Sequence, residues 1–311
     1  MHPGATVVGT VDPVAAAHEG VPNYQNLDVA LDAVQGLEAA IVATPTIDHV
    51  DSTRVLLERS VPVLVEKPLA ATADDAAGLA AVARTSGTLL AVGHVERFNP
   101  AVQLVRSLLR RGELGRPIAL AFRRVGLPPP PCVGVDVIHD LAVHDIDVFG
   151  LLTGMPPELE GASGWCSNGL VESAHLLLRA NDVSGLVQVN WRTPVRLRDF
   201  TLTTDECYVE VNYTTQVVEA IHAAETAEII DFHAFQEHYG TPHRVQLGCR
   251  PAEPLVKQLG AFLAAVETGE IDPLLAQAED GLRALALASS ASRAIRSADG
   301  DGPYRFVGGP T

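Results

Sequence analysis

The sequence predicts an α/β protein in which a truncated Rossmann-like parallel-sheet domain precedes an α+β domain with a large, mostly antiparallel sheet. Before residue 98, short apolar runs alternate with helical patterns, which is typical of a parallel sheet with helices on both faces. From residue 173 to 220, polar and apolar residues alternate with a period of two, as in antiparallel strands joined by turns. We therefore expect two domains, 1–97 and 98–311.

Each expected element has its own signal. In the first domain the strands are short apolar runs separated by helical patterns, at residues 5–11, 39–42, 61–65 and 88–92. In the second domain a strand over residues 118–126 precedes the prolines at 128–131, and a further helix ends near Leu152. The clearest amphipathic helices cover residues 101–115, 254–269 and 281–295.

The composition indicates a globular protein without a nucleic-acid partner. The 311 residues are 47% hydrophobic and carry a formal net charge of −16, which disfavours binding to nucleic acid or to an anionic membrane. No apolar run reaches about 18 residues, so we expect no membrane span. Four distant cysteines without CxxC spacing predict reduced thiols in a cytoplasmic protein, with no zinc site or disulfide framework: Cys132, Cys166, Cys207 and Cys249.

Two charges follow an apolar strand in the first domain. Val63–Val65 has the pattern of a strand buried on both faces, and Glu66 and Lys67 come directly after it. Pro68 disfavours helical geometry at Lys67 and ends the strand. Because ligands bind at the carboxyl edge of open α/β sheets, these charges are candidates for a binding site. A solvated turn is the simpler alternative.

A second group of polar residues lies in HDLAVHDIDV, residues 139–148. In a helix, Asp140 and His144 lie about 40° apart around the axis, so that Asp140 can orient His144. His139 and His144 lie about 140° apart and do not suit one metal ion. We therefore predict an acid–base pair here, and no metal site.

Three motifs in order resemble one known family: EKP at 66–68, GHVERFNPA at 93–101 and HDLAVHDIDV at 139–148. Together they resemble the Gfo/Idh/MocA family of NAD(P)-dependent sugar and cyclitol oxidoreductases, and most of all its nucleotide-sugar 3-dehydrogenase branch. The resemblance extends over nearly the whole chain. It implies a small, sugar-like substrate, NAD as cofactor, and a homodimer or homotetramer formed through the sheet of the second domain.

The resemblance also implies roles for individual residues. Lys67 touches the reacting oxygen, His144 is the principal acid/base and Asp140 is its partner. The residues implied to contact the cofactor are Asp12, Thr44, Pro45, His49 and Glu66. From their positions and side-chain chemistry, the candidates for contact with the substrate are His94, Glu96, Asn99, Arg123 and Trp191.

Most of these residues also have a structural explanation. Asp12 precedes Pro13 as a turn residue would, and Thr44 precedes Pro45 as a helix cap would. For Glu96 and Asn99 the alternative is helix capping. For Arg123 and Arg124 it is an exposed arginine at a strand edge, and for Trp191 it is burial in the core. Arg97 is expected to tie the two domains together.

One motif of the family is missing from these 311 residues. A dinucleotide-binding domain of this type opens with a strand and a G-x-G-x-x-G turn, whereas MHPGATVVGTVDP corresponds to the family's second strand. Losing a central strand costs on the order of 10 kcal/mol, comparable with the stability of a whole domain. Either the natural start lies upstream, or residues 5–11 pair beside residues 39–42 or against another subunit. We expect NAD binding to be weak or absent.

Two classes of function remain open from the sequence. The first is an NAD-dependent oxidoreductase of a sugar or nucleotide sugar. The second is a cofactor-independent lyase, epimerase or cyclase that uses Lys67 and His144 for proton transfer alone. A non-catalytic binding subunit is disfavoured, because Lys67, Asp140 and His144 are all present.

Overall fold

The computed structural model of the protein describes residues 4–14, 20–128, 135–222, 233, 242–298 and 307–308. The chain divides into two compact units: Met1–His94 with Leu255–Leu282, and Val95–Pro254 with Arg283–Thr311. The division differs from the expected one because residues 255–282 group with the first unit. Two contacts explain this grouping: Val92 N donates to Ala276 O at 2.8 Å, and Gly281 packs closely against the Val92 side chain.

The first unit begins with a small parallel pair of strands. Strand β1, Thr10–Val11, pairs with β2, Asn23–Tyr24, and helix α1, Leu27–Ala33, follows. Helix α1 starts after Asn26, whose Oδ1 accepts the Val29 N–H at 3.0 Å. Of the three alternatives for residues 5–11, pairing beside residues 39–42 is therefore not found within the described part of the chain, because β1 pairs with β2 instead.

A second parallel sheet of the first unit has the order β3-β4-β5. Its strands are Ala40–Val42, Val63–Val65 and Leu90–Val92. The helices of this unit include α2, α3 and α6, which cover His49–Glu58, Ala73–Ser86 and Pro254–Thr268. Helix α3 shows how the sequence sets such boundaries: Thr72 Oγ1 accepts the Asp75 N–H at 3.1 Å, and Gly87 ends the helix with a φ of 65°.

The second unit combines helices with one large sheet. Its helices are α4, Pro100–Arg111, and α5, Val143–Thr153, together with α7, Ala278–Ala298, which crosses the division between the units. A 3₁₀ turn, Val95–Phe98, precedes α4, and a π-helical turn, Ile138–Ala142, precedes α5. Its strands β6 to β14 are Pro117–Val125, Glu158–Ser167, Leu170–Ala180, Val183–Asn190, Leu197–Thr204, Tyr208–Asn212, Val217–His222, His243–Leu247 and Val307–Gly308.

The large sheet is antiparallel except at one place. Among the described residues its order is β13-β12-β11-β10-β6-β9-β8-β7-β14, and only β6 and β9 run parallel. Strands β8 to β11 confirm the alternation noted in the sequence, but β7 was not predicted. Bulges beside Glu160 and between Trp165 and Cys166 interrupt its alternation, which hides the period of two.

An aromatic core joins the sheet of the second unit to its helices. Phe122 on β6 stacks on Phe200 of β10 at a centroid distance of 5.3 Å and meets Phe149 of α5 edge-on at 6.4 Å. Phe200 in turn contacts Tyr213, also at 5.3 Å. Side chains along β6 point alternately to the two faces of the sheet, and those on the same face as Phe122 face the helices.

The HDLAVHDIDV segment is not a uniform α-helix. Residues Ile138–Ala142 form a π-helical turn, and α-helical geometry starts only at Val143. Such turns are rare and occur often at functional sites. The prolines expected in a loop at 129–131, and Cys132, lie outside the described residues. Within the described part of the chain, no helix is long and apolar enough to span a membrane.

Candidate functional site

The carboxyl ends of three parallel strands bring together the candidate residues of the first unit. Thr44 and Pro45 follow β3, Glu66 and Lys67 follow β4, and His94 follows β5. Val42, Val65 and Val92 lie side by side in register, so these residues leave the sheet at the same edge. The arrangement is the one expected from the sequence for a ligand-binding edge.

Glu66 is held by its neighbours at this edge. Its Oε2 accepts the Lys67 N–H at 3.2 Å. A Cβ at Gly93 would lie only 2.9 Å from Glu66 Oε2 and 3.1 Å from Glu66 Cα, so only glycine allows this close approach. Glu66 and Lys67 are both half-buried. The packing thus fixes the backbone from which the Lys67 side chain extends.

His49 connects the two loops that carry these residues. It is 1% exposed, and its Nδ1 and Nε2 lie 2.9 Å from Pro68 O and Thr44 O, respectively. Both ring nitrogens therefore lie against backbone carbonyls, and the buried ring connects the two loops.

Three other cofactor candidates keep side chains that a ligand can reach. Thr44 and Pro45 are exposed, and Asp12 is half-buried directly after β1. Asp12 Oδ1 accepts the Val14 N–H at 2.8 Å, which is the turn geometry considered as its alternative. A carboxylate at a strand end is also a suitable acceptor for ribose hydroxyls. These residues therefore fit one ribose and the nicotinamide end of a dinucleotide.

In the second unit, the π-helical turn brings Asp140 to the tryptophan at the end of β9. Trp191 is 9% exposed, packs in the core, and directs Nε1 toward Asp140 Oδ2 at 3.3 Å. His144 lies one turn later on α5 and is half-buried. Trp191 thus lies in the core, as one of the two alternatives from the sequence expected, and its contact with Asp140 was not predicted.

Asp136 organises the start of this turn. It is 1% exposed; its Oδ1 accepts the N–H groups of Ile138 and His139, both at 3.1 Å, and lies 2.7 Å from His139 Nδ1. Ser292 and Arg296 of α7 donate to Oδ2 at 2.5 and 3.0 Å. Burial alone would raise the pKa of Asp136, but these donors lower it to about 2.

His139 is engaged within the same network. Its Nε2 lies 3.1 Å from Ser289 Oγ, so protein groups contact both of its ring nitrogens. In the part of the chain that the structure describes, no group of three His, Cys, Asp or Glu side chains could hold a metal ion. His139 therefore takes part in hydrogen bonds within the protein.

A buried ionic cluster lies next to these residues. Arg124 is 4% exposed; its Nε donates to Asp145 Oδ1 at 2.8 Å, and its Nη2 lies 3.0 Å from Glu96 Oε1. Tyr213 donates its hydroxyl to the same Asp145 oxygen at 3.0 Å, and its ring lies 4.3 Å from the guanidinium carbon. The cluster joins β6, α5, the Val95–Phe98 turn and the residue after β11.

Burial governs the ionisation of this cluster. It raises the pKa of Asp145 to about 6, against the opposing effects of Arg124 and Tyr213. It also raises the pKa of the Tyr213 hydroxyl well above its usual value. For Arg124, burial is outweighed by Asp145 and Glu96, so its pKa is raised. The guanidinium therefore remains charged.

The remaining candidates of the second unit mostly contact protein groups. Asn99 caps α4 through the Ala101 N–H at 3.1 Å, and its amide nitrogen contacts Glu96 Oε2 at 2.9 Å and Tyr213 O at 3.0 Å. Arg123 forms two hydrogen bonds with Asp199, at 3.1 and 2.8 Å, on the opposite face of the sheet from Arg124. These contacts favour the capping alternative for Asn99.

Arg97 also has a partner within its own unit. It forms two hydrogen bonds with Asp147, at 2.8 and 2.6 Å, and both side chains are buried. This pair ties the Val95–Phe98 turn to α5, where the sequence suggested a link between domains. His94, at the end of the first unit, is 2% exposed.

One signal in the sequence could have located the buried cluster. Arg124 is in phase with Leu120 and Phe122 in the strand pattern, whereas Arg123 is in phase with two alanines. An arginine on the apolar face of a strand requires a buried counter-charge. The aspartates of HDIDV supply it, but which of them faces Arg124 depends on the three-dimensional packing.

The first unit is similar to a known protein family. A family model described as "Oxidoreductase family, NAD-binding Rossmann fold" matches residues 1–94. Residues 1–94 are therefore similar to the Gfo/Idh/MocA family, in agreement with the resemblance noted in the sequence, whose EKP motif lies within this match.

Individual relatives extend the likeness beyond this domain. UDP-N-acetylglucosamine 3-dehydrogenase of Acidithiobacillus ferrooxidans is 34% identical over 134 residues, which span 43% of this chain and 41% of that enzyme. Inositol 2-dehydrogenase 2 of Paenarthrobacter aurescens is 28% identical over 306 residues, or 94% of this chain and 88% of the relative. The solved structure of the A. ferrooxidans enzyme GnnA aligns with a TM-score of 0.74 at 23% identity, over 89% and 84% of the two chains. The last comparison is one of fold.

Removing the buried guanidinium should destabilise the second unit strongly. We expect Arg124→Met to cost about 3–5 kcal/mol, because Asp145 is left buried without its counter-charge. Both tryptophans, Trp165 and Trp191, lie in this unit, so urea unfolding followed by tryptophan fluorescence reports on it.

A neighbouring arginine provides the matched control. Arg123→Met removes the half-exposed pair with Asp199 and should cost about 1 kcal/mol or less. Adding Asp145→Asn to Arg124→Met should recover part of the lost stability, since it removes the unpaired charge. Equal costs for the two single variants would contradict the buried pair.

Asp136 should contribute stability that depends on pH. A pKa lowered to about 2 in the folded state stabilises the fold by about 2 kcal/mol above pH 4, and this contribution is lost as the pH falls through 2. Asp136→Asn should therefore lower the melting temperature at neutral pH, and the difference from wild type should shrink toward pH 2.5. Asp182→Asn, in an exposed turn, should show neither effect; a difference independent of pH would contradict the prediction.

Proposed function

We propose that the protein is an NAD-dependent oxidoreductase that interconverts a secondary alcohol and a ketone on a sugar or nucleotide sugar. One observation carries this proposal: the unit whose residues 1–94 match the NAD-binding family model places Lys67 at the carboxyl end of β4, level with the ends of β3 and β5. The names of the relatives support a polyhydroxylated substrate, since they are dehydrogenases of UDP-N-acetylglucosamine and inositol.

The proposed roles in proton transfer follow from the side chains present. His144 accepts the hydroxyl proton when the alcohol is oxidised and returns it in the reverse reaction. Asp140 orients His144, and Trp191 holds Asp140 through its indole N–H. Lys67 donates a hydrogen bond to the reacting oxygen and stabilises negative charge there. A bound nicotinamide ring would accept the hydride that leaves the same carbon.

The proposed cofactor contacts lie in the first unit. Asp12 would accept hydrogen bonds from ribose hydroxyls, and its charge would repel a 2′-phosphate, which favours NAD over NADP. Thr44, Pro45 and Glu66 would lie beside the nicotinamide end. His49 would act indirectly, because it connects the loops that carry Thr44 and Pro68.

The proposal includes a homodimer or homotetramer. One face of the large sheet exposes three large apolar side chains, Trp165, Leu186 and Tyr208, which are 43%, 40% and 37% accessible. Burying such side chains between subunits would stabilise an assembly.

NAD should stabilise the chain against thermal unfolding, with low affinity. We expect a dissociation constant of roughly 1 mM, corresponding to a binding free energy near −4 kcal/mol, so that about 10 mM NAD should add about 1.4 kcal/mol of stability. Asp12→Ala should reduce the shift, whereas Asp32→Ala on the exposed side of α1 should leave it unchanged. No shift would favour the cofactor-independent alternative, and a full shift at micromolar NAD would contradict the expected weak binding.

Lys67 should be required for turnover but not for folding. Lys67→Met should lower the rate about 10²-fold or more, because it removes the hydrogen bond and charge at the reacting oxygen. NADH formation with UDP-N-acetylglucosamine or inositol measures this. The chain's other lysine provides the control: Lys257→Met, on the exposed side of α6, should keep the wild-type rate. Near-normal turnover of Lys67→Met would remove Lys67 from the mechanism.

A further inference from the structure

Several strand ends of the second unit meet at one edge of the large sheet. Val125 at the end of β6 lies opposite Asn190 at the end of β9 and opposite Leu197 at the start of β10. Trp191 follows directly and contacts Asp140. The residues between β9 and β10 therefore lie at the edge that carries the proposed acid–base pair.

The run WRTPVRLR, which spans this connection and the start of β10, contains three arginines in different surroundings. Arg192 is paired with Glu172 and stacks on Trp165. Arg198 is half-buried, and its Nη1 donates to the backbone carbonyls of Val125 at 2.8 Å and Leu197 at 2.9 Å. Arg196 is exposed. Among the described residues, neither Arg196 nor Arg198 is within ion-pair distance of a carboxylate.

The electrostatic setting of Arg198 differs from that of Arg124. Two carboxylates contact Arg124 directly. Around Arg198, burial and then the positive charges of Arg124 and Arg196 lower the pKa, and Asp145 and Asp140 only partly oppose them. A half-buried guanidinium among like charges is strongly stabilised by an anion that can accept its remaining N–H groups.

We propose that Arg196 and Arg198 bind an anionic group, a phosphate or a carboxylate, carried by the sugar substrate of the reaction proposed above. A guanidinium offers two parallel N–H donors that match either group. The chain as a whole carries a net charge of −16, which repels anions, so an anionic substrate needs a local positive site of this kind. The identity of the substrate as a sugar rests on the proposed function; the anion site does not.

Calorimetric titration of the full chain tests the site without turnover or NAD. Inorganic pyrophosphate, D-glucuronate and neutral D-glucose are the probes, at constant ionic strength. We expect one of the two anions to bind and glucose not to. Arg198→Gln and Arg196→Gln should each weaken anion binding about 10-fold or more. Tighter binding of pyrophosphate assigns a nucleotide-linked sugar, and tighter binding of glucuronate assigns a sugar acid.

A matched variant separates this site from general charge effects. Arg192→Gln lies in the same connection and changes the net charge equally, but its guanidinium already has a carboxylate partner; it should change anion affinity less than about 2-fold. If Arg198→Gln does not fold, two other single variants test the site: Arg196→Gln, and Arg198→Lys, which keeps the charge but loses the two parallel N–H donors. Both should weaken anion binding. Absence of anion binding, or an equal loss in Arg192→Gln, would overturn the proposal. An anion-binding chain that gives no thermal shift with NAD would contradict only the oxidoreductase function.

Discussion

The second unit depends on one buried guanidinium. Arg124 lies on the apolar face of a strand and is stabilised by Asp145, Glu96 and the ring of Tyr213. Because an unpaired buried charge costs several kcal/mol, the stability of the unit depends on these four side chains being placed together. His144 precedes Asp145 directly, so the interaction that stabilises the core also fixes the helix that carries the proposed acid/base.

The same segment is fixed at its other end by a second carboxylate. Asp136 accepts hydrogen bonds from the first turn of the π-helix and from Ser292 and Arg296 of α7. Asp140 and His144 thus lie between two anchored aspartates, Asp136 and Asp145. Fixing both ends reduces the conformational freedom of the residues between them, which is what precise proton transfer requires.

In the first unit, close backbone packing holds the loops that follow the strands in place. His49 bridges Thr44 O and Pro68 O, and Glu66 fills the space that a side chain at Gly93 would occupy. Two of the residues first considered for cofactor contacts therefore also hold the loops in place. Residues that position a site and residues that touch a ligand occur in the same motifs, so a motif alone does not distinguish them.

The sequence by itself predicted the family resemblance, the fold class and most elements, because hydrophobic periodicity and local motifs such as EKP and HDLAVHDIDV depend on near neighbours in the chain. It also predicted that Lys67 lies at a strand end, since a proline directly after an apolar run disfavours helical geometry at the preceding residue and ends the strand. Only the tertiary structure decided the partners of Arg124, Asp136 and Trp191, and the π-helical turn at Ile138–Ala142. These features arise between residues distant in sequence, where burial selects which polar groups must pair.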